Sequence, residues 1–234
     1  MPFKFKQFSV VDTHTAMKIG TDGILLGSWV DLKGDEHILD VGSGCGVIAL
    51  MAAQKNNQAK ITAIEIDDSA CIDAHENIFN SPWKDRVTLM NAPLQEFNSD
   101  QKWDSIISNP PFFENSMSAK GEERHQARHT DSLHYTDLLF FAQKHLSDNG
   151  SLNIILPVEN GEACMDVCRD FDLYVQRVCY VKPVPQKEPH RILLSIGKQN
   201  IPAEKTTLII EDGVTRHHYT SAYKEICKDF YLKF

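Results

Sequence analysis

Hydrophobic and polar positions follow two periods along most of this chain. Short runs rich in β-branched residues predict strands, and longer stretches with apolar residues three or four positions apart predict helices. From residue 37 onward the two kinds of segment follow one another regularly. This alternation predicts an α/β fold, a doubly wound and mostly parallel sheet.

The first segment, Phe3 to Val11, has apolar residues at alternate positions before the phase slips, which predicts a strand or a hairpin. The other predicted strands are His37–Val41, Lys60–Ile66, Arg86–Met90, Trp103–Ser108, Ser151–Leu156, Tyr174–Val181, Arg191–Ile196 and, at an edge, Leu208–Ile210. The predicted helices are Asp22–Val30, Val47–Gln54, Ser69–Asn80, Thr136–Leu146 and Ser221–Phe230. We expect Asn149-Gly150 to stop the fourth helix. The late strands, joined by a proline-rich segment without a helix, predict an antiparallel edge.

Length and composition are those of an ordinary globular protein. The chain has 234 residues, 42% of them hydrophobic and 24% charged, which argues against a disordered chain, a collagen-like repeat or a coiled coil. We expect one domain, divided into an N-terminal extension and covering segment (1–30), a core (31–200) and a C-terminal strand and helix (201–234). The formal net charge of −8 by itself argues against a nucleic-acid partner.

Cysteines and apolar runs bear on the compartment. No stretch resembles a signal peptide or a membrane span, so we expect a cytoplasmic protein without a membrane partner. Six cysteines are present without a Cys-x-x-Cys pair or zinc-like spacing, so we expect free thiols and no metal site. The sequence leaves the oligomeric state open.

A glycine-rich turn links the predicted strand His37–Val41 to the next helix. It contains Gly42, Gly44 and Gly46, preceded by Asp40, and such glycines let a ligand approach the main chain. The spacing differs from the Gly-x-Gly-x-x-Gly of dinucleotide folds, and Asp40 suits a ligand with an ammonium group better than a pyrophosphate. Glu65, at the end of the next strand, stands where ribose hydroxyls are usually held.

A second motif, Asn109-Pro110-Pro111-Phe112, follows the predicted strand Trp103–Ser108. The prolines stiffen the loop and remove two backbone donors, which leaves the Asn109 amide oxygen and the Pro110 carbonyl as acceptors. These acceptors suit the two N–H bonds of a planar amino group, and the Phe112 ring could stack on its face. Such a loop would act on this nitrogen by positioning it rather than by supplying a strong base.

The glycine turn resembles the first motif of the class I S-adenosylmethionine-dependent methyltransferases. That resemblance spans about residues 15–200 and implies S-adenosylmethionine as cofactor and a seven-stranded sheet with the last strand antiparallel. It also implies that Asn91, after the third strand, and the backbone amide of Ala92 hold the adenine of the cofactor.

Three further stretches resemble the bacterial tRNA1(Val) (adenine-37-N6)-methyltransferase family. With them the resemblance to this family runs nearly from one end of the chain to the other. The stretches are Met17–Gly27, Ala127–Thr130 with the Leu138-Leu139 helix, and Pro183–Arg191 with the C-terminal Asp229–Lys233. The resemblance implies an N6-methylation of an adenine in the tRNA anticodon loop, which is single-stranded and accessible without opening a duplex. The sequence departs from the family at Lys187-Glu188, where glycine is expected.

Each stretch has a structural and a functional interpretation. Thr21, with Asp22, belongs either to a segment that covers the methionine part of the cofactor or to a helix N-cap. The basic residues are either solvated side chains or phosphate contacts. Phe3, Phe5 and Phe8 are more typical of core than of base stacking. The candidate RNA contacts are Arg124, Arg128, His129, Lys187, His190 and Arg191.

Other functions share these motifs. A ribosomal RNA guanine N2-methyltransferase also uses Asn-Pro-Pro-Phe, but those chains are often longer and duplicated. A release-factor glutamine N5-methyltransferase favours Tyr where Phe112 stands and has a helical N-terminal domain. A non-enzymatic binding module is a third class, against which intact Asp40, Glu65 and Asn109 argue.

The net charge is unevenly distributed. Residues 65–104 carry nine acidic and three basic residues, a net −6, so the rest of the chain sums to −2. Basic residues gather in Lys120–His134 and Lys182–Arg191. The overall acidity is therefore compatible with a small, salt-sensitive RNA contact.

Overall fold

The structure is a computed structural model that describes residues 2–111 and 133–234. Its strands are β1 (Phe3–Lys4), β2 (Ser9–Val10), β3 (His37–Val41), β4 (Lys60–Glu65), β5 (Val87–Asn91), β6 (Trp103–Ser108), β7 (Leu146–Pro157), β8 (Tyr174–Lys182), β9 (Arg191–Gly197) and β10 (Glu204–Ile209). Its α-helices are α1 (Thr21–Trp29), α2 (Val47–Lys55), α3 (Asp68–Phe79), α4 (Tyr135–His145), α5 (Val158–Val167) and α6 (Ser221–Cys227).

Eight strands form one twisted sheet in the order β10-β8-β9-β7-β6-β3-β4-β5, and β1 pairs with β2 in a separate hairpin. The strands β5, β4, β3, β6 and β7 run parallel, whereas β9 is antiparallel to both β7 and β8. The carboxyl ends of β3, β4, β5, β6, β7, β8 and β10 therefore lie along one edge, which we call the carboxyl edge.

The predicted fold class, a mostly parallel α/β sheet with an N-terminal hairpin, is confirmed. The sheet has eight strands rather than seven, because β10 pairs in parallel with β8 over six residues. The antiparallel strand β9 lies inside the sheet, between β7 and β8, rather than at its edge.

The structure differs locally from the prediction at α5 and at the end of α4. Helix α5 was not predicted, because its buried residues are the small Gly161 and Cys164, which give no apolar period. The Asn149-Gly150 pair does not stop α4, which ends at His145; it lies inside β7. A Cβ on Gly150 would lie 2.6 Å from the Trp103 carbonyl oxygen, so glycine there permits close approach of β6.

Both faces of the sheet are covered, since neighbouring strand residues belong to different cores. Ile38 faces the core formed with α1, α2 and α6, and Leu39 faces the core formed with α4 and α5. The first core also contains Phe5, Phe8 and Phe230, so the three predicted segments of the chain share it. None of the helices in the described ranges is both long and apolar enough to cross a membrane.

The hairpin closes onto the C-terminus. The Lys6 backbone N–H donates to the Phe230 carbonyl at 2.9 Å, and the Phe5 and Phe8 rings stack with centroids 4.5 Å apart. Phe5 and Phe8 are buried, as the core interpretation requires, whereas Phe3 is 38% exposed.

Candidate active site

The glycine turn folds back over the end of β4. Gly42, Gly44 and Gly46 have φ angles of 67°, 54° and 81°, a left-handed region that disfavours side chains with a Cβ. The backbone N–H groups of Gly42 and Ser43 both donate to the Ile64 carbonyl, at 2.9 and 3.0 Å. The turn is thereby fixed to the carboxyl edge at the start of α2.

Glu65, the last residue of β4, is joined to this turn. Its Oε2 accepts from the Gly44 N–H at 2.7 Å, and its Oε1 accepts from the N–H groups of Ile66 at 2.8 Å and Asp67 at 2.9 Å. The residue is 8% exposed. The structure thus brings the predicted ribose-binding carboxylate against the middle of the predicted cofactor turn.

Asp40 lies beneath the turn in β3 and is 1% exposed. Its Oδ2 accepts from the Ala49 N–H at 2.9 Å, while its buried Oδ1 has no partner among residues 2–111 and 133–234. Burial raises the pKa of Asp40 to about 7; the Ala49 hydrogen bond lowers it and the charge of Glu65 raises it further. A cation brought to this site would favour the ionised form.

The predicted adenine contacts begin where β5 ends. Asn91 is exposed, and its Nδ2 donates to the Asp68 carboxylate. The Ala92 N–H donates to the Glu65 carbonyl at 3.0 Å. The Ala92 amide is therefore already satisfied within the protein, and a contact with adenine would have to replace this bond.

Asn109 follows β6, next to the glycine turn. Strand pairing sets Ser108 opposite Val41, and the Ser108 hydroxyl donates to the Val41 carbonyl at 2.8 Å. The Asn109 Oδ1 is buried and has no partner in the described parts of the chain, and Pro110 beside it is buried.

Unpaired buried polar atoms concentrate here. Of the six such side-chain atoms in the described residues, three belong to Asp40, Ser43 and Asn109. Buried polar groups in proteins are almost always paired, so three unpaired ones at the ends of two adjacent strands indicate a ligand site. The predicted residues Phe112, Arg124, Arg128 and His129 lie outside the described residues.

The N-terminal segment adjoins the turn. Thr21 is exposed and is the first residue of α1, but the N-cap is Gly20, which makes no side-chain cap bond. The N-cap interpretation of Thr21-Asp22 is therefore wrong. The Asp22 Oδ2 instead accepts from the Arg191 Nε at 2.8 Å.

Thr15, which was not a predicted site residue, lies next to the glycine turn. A Cβ on Gly44 would lie 3.7 Å from the Thr15 methyl group. The Thr15 hydroxyl and backbone N–H both donate to Asp73 of α3. Sequence reasoning missed both residues because 58 positions separate them and neither belongs to a motif.

The other predicted basic residues occupy the far part of the carboxyl edge. Lys187 and His190 are exposed, and Arg191, the first residue of β9, is half-buried. Lys187 and His190 belong to a loop, residues 183–190, which is held by a bond of 2.9 Å from the His190 N–H to the Val181 carbonyl.

Residues 211–219 form a second loop, after β10, which sequence reasoning also missed. Asp212 organises it: Oδ1 accepts from the N–H groups of Val214 at 2.9 Å and Thr215 at 3.2 Å, and Oδ2 lies 2.6 Å from the His218 Nδ1. The Glu211 N–H donates to the Pro183 carbonyl at 2.9 Å.

The two loops form one surface, which we call the loop ridge (residues 183–190 and 211–219). Its exposed cationic or titratable basic side chains are Lys187, His190, Arg216, His217 and His218. The same two loops carry three acidic residues, Glu188, Glu211 and Asp212, against Lys187 and Arg216, a formal charge of −1 with neutral histidines. Glu211 lies 3.6 Å from the His217 Nδ1. In the described ranges no three His, Cys, Asp or Glu residues are arranged to hold a metal ion.

Comparison with known proteins finds a matching family model and relatives that cover nearly the whole chain. The methyltransferase small domain family matches residues 3–165. A relative from Trichodesmium erythraeum, named tRNA1(Val) (adenine(37)-N6)-methyltransferase, is 45% identical over 99% of this chain and 98% of its own. A relative of the same name from Vibrio vulnificus (strain YJ016) is 38% identical over 99% and 95%.

Solved structures share the fold. A predicted O-methyltransferase from Agrobacterium tumefaciens has a TM-score of 0.69 at 17% identity, covering 89% of this chain and 96% of that one. TYW2 of P. horikoshii, in complex with MeSAdo, has a TM-score of 0.58 at 16% identity, covering 85% and 71%. At these identities the likeness establishes the fold alone.

Proposed function

The chain belongs to the methyltransferase small domain family, and we propose that it transfers a methyl group from S-adenosylmethionine to N6 of adenine 37 in tRNA(Val). The proposal is supported by the relatives named tRNA1(Val) (adenine(37)-N6)-methyltransferase, which match the chain over nearly its whole length. The observation that carries the choice of a nitrogen acceptor is the Asn109 Oδ1, buried and without a partner in the described residues. An exocyclic amino group would supply the missing N–H donor.

The cofactor site fits S-adenosylmethionine in charge and shape. The left-handed glycines leave the turn open to a ligand, and Asp40 and Glu65 supply two carboxylates beneath it. The free Asp40 Oδ1 suits the positive charge of the cofactor, and Glu65 suits its ribose hydroxyls. Glu65 would have to share its oxygens between the Gly44 N–H and the ribose.

Catalysis requires the chain to hold and orient the substrate nitrogen. When bound, S-adenosylmethionine supplies an electrophilic methyl group on a sulfonium sulfur. The Asn109 Oδ1 and the Pro110 carbonyl would accept hydrogen bonds from the two N–H groups of adenine N6 and so orient the nitrogen, with its lone pair directed out of the plane of the base. Transfer of the methyl group would break its bond to sulfur and leave N6 positively charged; the Asn109 Oδ1 and the Pro110 carbonyl would stabilise this charge until one N6 proton passes to water. Phe112 remains a predicted stacking residue.

The loop ridge provides an RNA-binding surface in this proposal through individual cations rather than through its net charge. It lies beyond β6 on the same edge as Asn109, because β8 and β10 both end there. Lys187 and Arg216 would contact phosphates flanking an adenine splayed into the Asn109 site. Arg191 would act partly through Asp22, which already binds its guanidinium. Arg124, Arg128 and His129 remain proposed RNA contacts.

We propose that the enzyme acts in the cytoplasm, on the grounds of its proposed tRNA substrate. All six cysteines are free thiols, as expected in a reducing compartment.

Transfer of a labelled methyl group distinguishes this function from its alternatives. The purified protein would be incubated with methyl-labelled S-adenosylmethionine and, separately, unmodified total tRNA, unmodified rRNA or a release factor. We expect label in tRNA only. Label in rRNA would favour guanine N2-methylation, and label in the release factor would favour glutamine N5-methylation; either, without label in tRNA, would refute the proposal.

A further inference from the structure

We propose that Asp73 of α3 is a positioning residue for the cofactor, which holds residues 11–15 against the glycine turn and thereby sets cofactor affinity. The inference rests on the proposed function only as far as S-adenosylmethionine binding, since it requires no particular methyl acceptor.

Both carboxylate oxygens of Asp73 make hydrogen bonds or close contacts with the N-terminal segment. Its Oδ2 accepts from the His14 N–H at 2.8 Å, the Thr15 N–H at 2.7 Å and the Thr15 hydroxyl at 2.8 Å. Its Oδ1 lies 2.8 Å from the His14 Nδ1. All four contacts join residues 58 or 59 positions apart in the chain, so one buried carboxylate fixes two consecutive residues of a loop.

Asn77, one helical turn further along α3, extends this connection. Its Oδ1 accepts from the Val11 N–H at 2.8 Å, and its Nδ2 donates to the Val11 carbonyl at 2.7 Å. The same Nδ2 donates to the Cys45 carbonyl, inside the glycine turn, at 2.9 Å. Helix α3 thus binds the N-terminal segment and the turn at the same time.

The segment held in this way is in contact distance of the turn. Thr15 is 4% exposed, and its methyl group would lie 3.7 Å from a Cβ on Gly44. Gly44 is also the residue whose N–H is bound by Glu65. Asp73 therefore acts on the predicted ribose end of the cofactor site through Thr15, without touching the cofactor itself.

A fully buried carboxylate lowers the stability of the folded state unless it is well paired. Asp73 is 0% exposed, and burial raises its pKa. The hydrogen bonds from Thr15 and His14 outweigh this and lower the pKa of Asp73 to about 2. The carboxylate is therefore ionised across the physiological range and keeps the loop in one conformation.

Preorganisation is the physical link to affinity. A loop that is already ordered loses little conformational entropy when a ligand arrives. Without the carboxylate, the His14 and Thr15 amides would be released to water, and cofactor binding would have to order residues 11–15 again. The expected consequence is weaker binding, with the methyl-transfer groups themselves unchanged.

The test compares Asp73→Asn with a matched control, Asp104→Asn. Asp104 also accepts from two backbone N–H groups and one hydroxyl, those of Glu36 at 3.0 Å, His37 at 3.1 Å and Ser147 at 2.9 Å, but at the start of β3, the opposite edge of the sheet. Both variants should lower the melting temperature. Only Asp73→Asn should raise the Kd of S-adenosylhomocysteine, by about tenfold or more, as measured by titration calorimetry.

Thr15 variants keep the test decisive if Asp73→Asn fails to fold. Thr15→Val removes the hydroxyl and should raise the Kd of S-adenosylhomocysteine. Thr15→Ser keeps the hydroxyl and should retain most of the affinity of the wild type. Hydrogen exchange at the His14 and Thr15 amides should accelerate in Asp73→Asn and not in Asp104→Asn.

A wild-type Kd in both Asp73→Asn and Thr15→Val would overturn the inference, as would an equal loss of affinity in Asp104→Asn. If the wild-type protein binds no S-adenosylmethionine, the proposed function itself fails. If it binds the cofactor but does not methylate tRNA, only the proposed substrate fails and the role of Asp73 is still measured.

Discussion

The Glu65 carboxylate accepts a hydrogen bond of 2.7 Å from the Gly44 N–H. This bond crosses from the end of β4 to the middle of the turn that follows β3, and it gives Glu65 two tasks. The same carboxylate that is proposed to bind ribose also holds the turn in its left-handed conformation.

Glu65→Gln tests these two tasks together. An amide keeps one oxygen, which can accept either from the Gly44 N–H or from the Ile66 and Asp67 N–H groups; its NH2 group cannot accept from the other side. We expect a lower melting temperature and a Kd for S-adenosylmethionine raised by about tenfold or more. Calorimetry with the cofactor and with free methionine separates the tasks: loss of affinity confined to the nucleoside-bearing ligand supports ribose binding, and unchanged affinity for both would remove Glu65 from the site.

Asp40 should make cofactor affinity depend on pH. Burial raises its pKa from 3.8 to about 7, so the carboxyl is largely protonated at pH 6 and largely ionised at pH 8. Because the ionised form attracts the cationic cofactor, affinity should rise with pH across this range. Asp40→Asn should bind more weakly at pH 8 and lose this dependence; a parallel pH profile in the variant would contradict the assignment.

The same shift predicts a stability effect of opposite sign. A carboxyl with a raised pKa in the folded state binds protons more readily than in the unfolded state, so its contribution is present below pH 4 and is lost as pH rises towards 7. Without cofactor, the free energy of unfolding of Asp40→Asn relative to wild type should therefore increase between pH 4 and pH 7. Urea unfolding at several pH values measures this difference, and a constant difference would show that Asp40 is not perturbed.

Asn109→Ala should abolish methylation while leaving cofactor binding nearly intact. The variant removes the acceptor that positions the substrate nitrogen, a loss we expect to lower kcat by about 100-fold or more. The matched control is Asn153→Ala, which removes another buried amide, bonded at 3.0 Å to the Ser105 hydroxyl in the sheet. The control should lower stability without a comparable loss of kcat per folded molecule; an unchanged methylation rate in Asn109→Ala would refute the pocket.

The cations of the loop ridge should act on RNA binding rather than on chemistry. A Lys187→Ala, Arg216→Ala double variant should raise KM for tRNA by several-fold, leave kcat and cofactor Kd unchanged, and weaken the salt dependence of KM. Lys33→Ala with Lys60→Ala, exposed cations near the opposite edge, should not alter KM. Equal effects of the two pairs would indicate only a general electrostatic attraction.

Strong local patterns made most of the sheet predictable. The strands β3 and β6 have the bounds predicted, because each is a short segment whose largely buried side chains include a pair of adjacent apolar residues, Ile38-Leu39 and Ile106-Ile107. By contrast β10 was predicted only over its last residues, because its first four side chains are exposed at the sheet edge. Helix α5 was missed because its buried face is formed by small residues, which give no apolar period. One of them, Gly161, packs so closely on Ile192 that no side chain would fit there.

The site was predictable where the chain itself carries a motif. Asp40, the three glycines, Glu65 and Asn109 meet at the carboxyl edge because parallel strands bring their ends together. The Asp73 contacts and the second loop of the ridge depend on polar pairs distant in the chain, which no periodicity reveals. The engagement of the Ala92 amide by the Glu65 carbonyl is likewise a tertiary detail.

The most direct test of the account is the position of the methyl group on an unmodified tRNA(Val) transcript. After reaction with S-adenosylmethionine, nuclease digestion and mass spectrometry should find one N6-methyladenosine, at position 37, and none in a transcript with guanosine at that position. A methyl group at another nucleotide, or on guanine N2, or no methylation by a protein that binds the cofactor, would contradict the proposed function.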